Sequence, residues 1–380
     1  MTAVARRVFL HIGLPKTGTT YLQTILWKNR EELLRQGILL PGFGPRQHLW
    51  ASGVVREEPN LENRHRNAPR AWEVLTREAN AHDGTAVISH EFFAGASPEQ
   101  AARAVADLGD AEVHVVLTAR DTLSLVTARW QEFVKNGATT PIDAYPESEE
   151  TSPHDAWDWG SMDVADVLRR WGTSVPPERV HVLTLPKPTE PRETLWLRFA
   201  DLLGIDASRC DASGSEANES LGVVEVELLR RVNADLQGFG RPLDRGVWIR
   251  GYLAQGKLVP RKGEKFWPSP ERVAELRARG DRAVDELAAR GYDVIGDLDD
   301  LRTPSDVPER RHPDSVTDAE LVDAATATIA AMMTDVRELT RERDEAQQAS
   351  SGLDKLDQPK RLVRKAARRA RSLWRRPLPR

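Results

Sequence analysis

Residues 8–26, VFLHIGLPKTGTTYLQTIL, constrain the fold of this 380-residue chain more than any other stretch. An apolar run leads into a turn carrying Gly13, Pro15 and Gly18, and a helical pattern opens at Thr19 and is expected to run to about Gln36. A strand, a glycine turn and a helix start in succession gather unpaired backbone N–H groups and the positive helix end into one small volume. Such a place holds an anion, most often phosphate. The β-then-α order recurs: TAVISHEFF (85–93) precedes PEQAARAVADLG, EVHVVLTAR (112–120) precedes a helical stretch through Lys135, and RVHVLTL (179–185) precedes PRETLWLRFADLLG. These Val-rich runs do not alternate with polar residues, which predicts strands buried on both faces and an α/β fold built on a parallel sheet.

Composition narrows the class. Hydrophobic residues make up 40% and charged residues 29%, as in a soluble globular protein, and 54 basic against 58 acidic side chains give no case for a nucleic-acid partner. Cys210 is the only cysteine, so neither an intrachain disulfide nor a thiolate metal site is available, and no metal is expected. The apolar segment Val8 to Leu14 is interrupted by His11 and Gly13 and lacks a small-residue cleavage site, so it reads as a first strand and not a secretory leader. No run approaches the ~20 continuous apolar residues of a membrane span. A cytoplasmic protein is expected.

Four segments follow from the pattern: a domain over 1–301, a proline-containing linker over 302–317, a helical extension over 318–350 and a basic, amphipathic or disordered tail over 351–380. Within the first, the insert from Asn136 to Asp166 reads as a lid or acceptor loop. In the extension, Leu321, Ala325, Thr328, Ile329, Met332, Met333, Val336 and Leu339 form a narrow stripe, suited to docking on its own domain or to self-association through 318–345. In the tail, Leu362, Val363, Ala366, Ala370, Leu373 and Trp374 stand at helical spacing among Lys and Arg. That pattern suits an anionic membrane surface, giving peripheral contact with the inner face of the membrane.

The position of the lysine decides which anion loop this is. The nucleoside triphosphate loop G-x-x-x-x-G-K-[ST] places Lys directly after the second Gly. Gly13 and Gly18 have the right separation, yet Thr19 follows Gly18 and the lysine is Lys16, in the crown of the turn. An ordinary ATPase or GTPase is disfavoured. PKTGTT, residues 15–20, resembles the 5′-phosphosulfate loop of sulfotransferases that use 3′-phosphoadenosine 5′-phosphosulfate (PAPS). The order HIGLPKTGTTYLQ, SHEFF, LTARD with WQEFVKNG, LWLRFADLLG, NESLG and GYDVIGDL is similar to that of bacterial sulfotransferase-like proteins from Val8 to about Leu301.

The resemblance implies a three-layer, P-loop-type α/β fold and assigns roles. Lys16 would meet the oxygen bridging phosphate and sulfate, and the rest of the loop, Pro15, Thr17, Gly18, Thr19 and Thr20, would cradle the 5′-phosphate. The family holds the 3′-phosphate with an Arg at a strand end and a Ser eight residues later. Arg120 matches, but position 128 is alanine, and Ser124, one helical turn earlier, is the substitute. Arg261 and Lys262, with Gly263, resemble a late Arg-Lys-Gly tripeptide that meets the same phosphate. For the base that takes the acceptor's proton, His90 and Glu91 both fit, with Glu91 favoured for a sugar-like acceptor. His48, His65, Trp50, Trp130, Trp157 and Trp159 are candidates to line the acceptor site. The expected activity is sulfuryl transfer from PAPS to a hydroxyl of a carbohydrate, glycolipid or small metabolite. The alternatives are a kinase-like P-loop enzyme that binds a nucleotide and a catalytically degenerate binding module of the same fold.

Overall fold

Strands β1 (Arg7–His11), β2 (Ile38–Leu39), β3 (Thr85–Ser89), β4 (Glu112–Ala119), β5 (Val180–Thr184) and β6 (Asp293–Ile295) form one sheet in the order β2-β3-β1-β4-β5-β6. The computed structural model describes residues 6–148, 156–187, 189–213 and 220–373, with side chains described to 348. Every pairing is parallel. All residues of β3 and β5 are buried, as strands covered on both faces must be. The α/β class expected from the Val-rich runs is the observed one.

Helices α1 (Thr19–Lys28), α2 (Arg30–Arg35), α3 (Pro45–Val55), α4 (Ala71–Asn80), α5 (Pro98–Ala106), α6 (Thr122–Lys135), α7 (Val164–Trp171), α8 (Thr194–Leu203) and α9 (Val223–Asp235) occupy the connections. They are followed by a π-helical stretch, Arg245–Leu258, and a helix, Pro270–Ala288. Phe9 and Val116 from the sheet, Leu22 and Leu26 from α1, and Trp196 and Phe199 from α8 share one buried cluster that seats α1 and α8 on the strands. Burying each such side chain contributes about 1.5–3 kcal/mol.

Three details differ from the pattern read in the sequence. The helix from Thr19 breaks at Asn29, whose side-chain amide donates to the carbonyls of Ile25 (2.8 Å) and Asp211 (2.9 Å) and so ends α1 there. The strand from Thr85 stops at Ser89, and Glu91–Gly95 is a 3-10 turn capped by His90, whose Nδ1 accepts from the Phe92 N–H. Strand β2 is two residues long, too short to carry a period of its own.

The chain divides into two units, 1–316 and 317–380. The second contains a helix, Asp318–Leu373, which crosses positions 350–351 without a break. The side chains of the stripe Leu362, Val363, Ala366, Ala370 and Leu373, and Trp374 as a whole, lie outside the described residues. Among the described residues, no helix is long and apolar enough to cross a membrane.

Candidate active site

Strands β1 and β4 mark the place where the chain's connections change sides: β2 and β3 lie on one side of β1, and β5 and β6 on the far side of β4. In parallel sheets, ligands bind in the crevice outside the strand ends at such a point. The loop 12–18 leaves β1 there, and Arg120 directly follows β4 beside it.

The loop is built from left-handed backbone. Gly13 has φ +77°, Lys16 +65° and Gly18 +82°. A Cβ on Gly13 would lie 2.6 Å from Glu91 Cβ, so the missing side chain lets the 3-10 turn press against the loop. Gly18 caps α1, whose first turn holds no acidic residue and receives no side-chain cap bond. Such a helix start suits an anion. Thr17 is fully buried; its hydroxyl donates to the Leu14 carbonyl and lies 2.7 Å from Thr118 Oγ1, which leaves only its backbone N–H for a ligand. Thr19 is buried and Thr20 exposed; with Pro15, Lys16 and Gly18 they line the cleft in front of the loop.

Behind the loop runs a closed polar chain. His11 Nδ1 is 2.8 Å from Ser89 Oγ, and its Nε2 is 3.3 Å from Thr118 Oγ1. Gln23 Nε2 donates to Ser89 Oγ (3.3 Å) and to Glu91 Oε2 (3.2 Å). His11 is fully buried, and burial pushes its imidazole down to about 4, so the ring is neutral at physiological pH. Residues of β1, β3 and β4 thereby fix Thr17 on one side and Glu91 on the other.

Lys16 Nζ forms an ion pair of 2.7 Å with Glu132 Oε2, on α6. Burial would raise the Glu132 carboxyl, but Lys16, Lys135 and Arg250 outweigh it and hold the group below the usual carboxylate range. Arg250 Nη1 stands 3.5 Å from the other oxygen. Lys135 is 4% exposed, and burial pushes its ammonium down. Neither Glu132 nor Lys135 was singled out in the sequence. The signal available was their spacing from Ser124 and Ala128, steps of four, four and three that mark one helical face.

Arg120 has no carboxylate within 4 Å among the described residues. Its Nη1 reaches the Lys16 carbonyl at 3.4 Å, and its Nε is buried without a partner. Burial pushes this guanidinium down, the adjacent Asp121 only partly opposing it. Asp121 instead caps α6, accepting from the Ser124 N–H at 2.8 Å. Ser124 and Ala128 both line the cleft. The Thr127 hydroxyl is bonded to the Leu123 carbonyl at 2.8 Å.

Glu91 and His90 part company. Glu91 lines the cleft, whereas His90 does not and has its Nδ1 3.5 Å from Ser52 Oγ. Burial would raise the Glu91 carboxyl, yet His90, its own backbone N–H and the Gln23 amide hold it below the usual range, so it is ionised at neutral pH. Burial is also the main cause that pushes His90 down. Arg261 and Lys262 are not among the cleft-lining residues; Arg261 Nε instead donates to the buried Glu225 at 3.0 Å. Of the aromatic candidates, Trp157 lines the cleft, while Trp130 is buried behind it with its indole N–H on the Thr140 carbonyl. Trp159 is buried, Trp50 stacks on His65, and His48 is held by the Pro41 carbonyl and the Ser89 N–H.

The cleft measures about 2190 Å³, and thirteen Lys and Arg against eight Asp and Glu line it among the described residues. Fold and cleft together define an α/β protein with a glycine loop and an uncapped helix start at the turning point of its sheet. No family model and no curated protein matches the chain. Among solved structures, it is similar to a sulfotransferase from Alicyclobacillus acidocaldarius, with 16% identity and a TM-score of 0.39 over 61% of this chain and 94% of that one. It is also similar to the sulfotransferase domain from the curacin biosynthetic pathway, with 12% identity and a TM-score of 0.36 over 77% of this chain and 100% of that one.

Proposed function

We propose that the chain is a sulfotransferase that moves the sulfuryl group of PAPS to a hydroxyl of a carbohydrate, glycolipid or small metabolite. The observation that carries this reading is a single cleft lined by Lys16, the open start of α1, Arg120 and Glu91. The residues fit the donor. Arg120, with its buried Nε lacking a partner, suits the 3′-phosphate, with Ser124 in place of the serine that Ala128 lacks. The N–H groups of Gly18, Thr19 and Thr20 suit the 5′-phosphate.

Chemically, Glu91 takes the proton of the acceptor hydroxyl as the oxygen–sulfur bond forms. The bond from sulfur to the bridging oxygen breaks, its electron pair stays on that oxygen, and Lys16 stabilises the charge that develops there. For this Lys16 turns from Glu132 to the donor.

Calorimetric titration tests the reading: adenosine 3′,5′-bisphosphate should bind and ATP should not. Transfer from radiolabelled PAPS to a panel of hydroxyl compounds should fall by about 10²–10³ in Lys16→Ala. Full activity in that variant would sink the assignment. The ion pair that occupies Lys16, together with Ala128, favours a second reading, a module that binds the nucleotide without transfer; bisphosphate binding with no turnover on any acceptor would select it.

A further inference from the structure

The donor reading above leaves two cations in the wall of the cleft without a role. Arg129 and Lys135 stand six residues apart on α6, about 9 Å along its axis. They are 2% and 4% exposed, yet both line the cleft. Among the described residues, no carboxylate lies within 4 Å of either. Glu132, between them in sequence, is already engaged by Lys16 and Arg250. Arg129 donates one N–H to the Ala156 carbonyl, and its Nε is buried with no partner. Its guanidinium lies 4.4 Å from the centre of the Trp157 ring, and that ring stands 5.4 Å from Phe133.

A buried cation with no carboxylate in contact is costly to keep, and an anionic ligand in the cleft would offset that cost. The indole and the phenyl ring beside it offer an apolar wall of the size of a sugar ring. Resting on the transfer reading above, we infer that the acceptor is itself an anion, a saccharide bearing a carboxylate or a sulfate ester, and that Arg129 and Lys135 form its seat. The hydroxyl that reacts would then be presented to Glu91 by a charged neighbour on the same molecule.

The test uses the full chain and three probes: cellobiose, the same disaccharide oxidised at C6 to its uronate, and its 6-sulfate. Binding is measured by calorimetry with and without adenosine 3′,5′-bisphosphate. The wild type should bind one or both anionic probes at least tenfold more tightly than cellobiose, and the better of the two tells carboxylate from sulfate ester. Arg129→Met and Lys135→Met should each remove most of that preference, and Arg129→Met, which takes no part in the Lys16–Glu132 pair, should leave bisphosphate affinity within twofold. Arg129→Lys, which keeps the charge without the planar fork, should retain part of it. Equal binding of neutral and anionic probes by the wild type overturns the proposal, as does an unchanged preference in both Met variants. So does a loss of bisphosphate affinity in their place, since these cations would then belong to the donor. Should the bisphosphate fail to bind while the preference appears and is lost in the variants, the donor reading falls and the anion seat stands.

Discussion

On the proposed reading, Glu132→Gln should make the protein bind adenosine 3′,5′-bisphosphate more tightly. In the structure Lys16 Nζ sits 2.7 Å from Glu132 Oε2, with the two side chains 28% and 15% exposed. At an effective dielectric of ~20, Coulomb's law gives a gross attraction of about 6 kcal/mol at that distance. Desolvation of both groups removes most of it, and the net worth of a partly buried, charge-assisted pair is about 1–3 kcal/mol. A donor that needs Lys16 has to break this pair first. Replacing the carboxylate by an amide lifts that cost, so affinity for adenosine 3′,5′-bisphosphate should rise about 5- to 150-fold. Because the Glu132 carboxyl is held below its usual range, it is ionised at neutral pH, and the gap between wild type and variant should be present there. Isothermal titration calorimetry reads the affinity, and urea denaturation of Lys16→Met, Glu132→Gln and the double variant should give a coupling of about 1–3 kcal/mol. Unchanged or weaker nucleotide binding in Glu132→Gln would refute the competition, and a coupling near zero would refute the pair itself.

Other outcomes follow from the same geometry. Glu91→Gln should lower kcat by about 10²–10⁴ while His90→Gln stays within about tenfold of wild type, because only Glu91 lines the cleft; the reverse ranking in a PAPS transfer assay would reassign the base. Gly13→Ala should cost about 2–4 kcal/mol in a denaturant titration, since the residue is left-handed and its Cβ would meet Glu91. His11 and His48 are both pushed down to about 4 by burial, so the unfolded chain takes up their protons first as pH falls. Stability is whole above about pH 6.5 and drains towards pH 4, by about 3 kcal/mol for each ring. A urea midpoint that stays flat between pH 7 and 4 would contradict this.

What could be read in advance was local. The loop from Gly13 to Thr20 is contiguous, and the φ that Gly13 and Gly18 adopt is the reason for glycine there, so strand, turn and helix start were visible together. The sheet was visible because buried parallel strands are apolar throughout. The partner of Lys16 was not, because Glu132 is 116 residues away and only the tertiary fold brings it across. His11 stood in the sequence as a break in the apolar run of the first strand; that it joins three strands through hydroxyls depends on Ser89 and Thr118, whose positions no local pattern reveals. Arg261 and Lys262 were drawn from a tripeptide with no surrounding context, and Glu225 takes the arginine instead. The sequence left both His90 and Glu91 open as the base; what separates them is the 3-10 turn that begins at Glu91, with His90 as its cap.

The buried relay from Thr17 through Thr118 and His11 to Ser89, Gln23 and Glu91 makes one rigid jaw of the donor loop and the carboxylate. Neither can swing without stranding polar groups that water cannot reach. Any closing movement when ligands arrive therefore belongs to the opposite jaw, α6 and the segment around Trp157. On the proposed reading, variation there would retune which acceptors are gripped and leave the relay that holds Glu91 untouched.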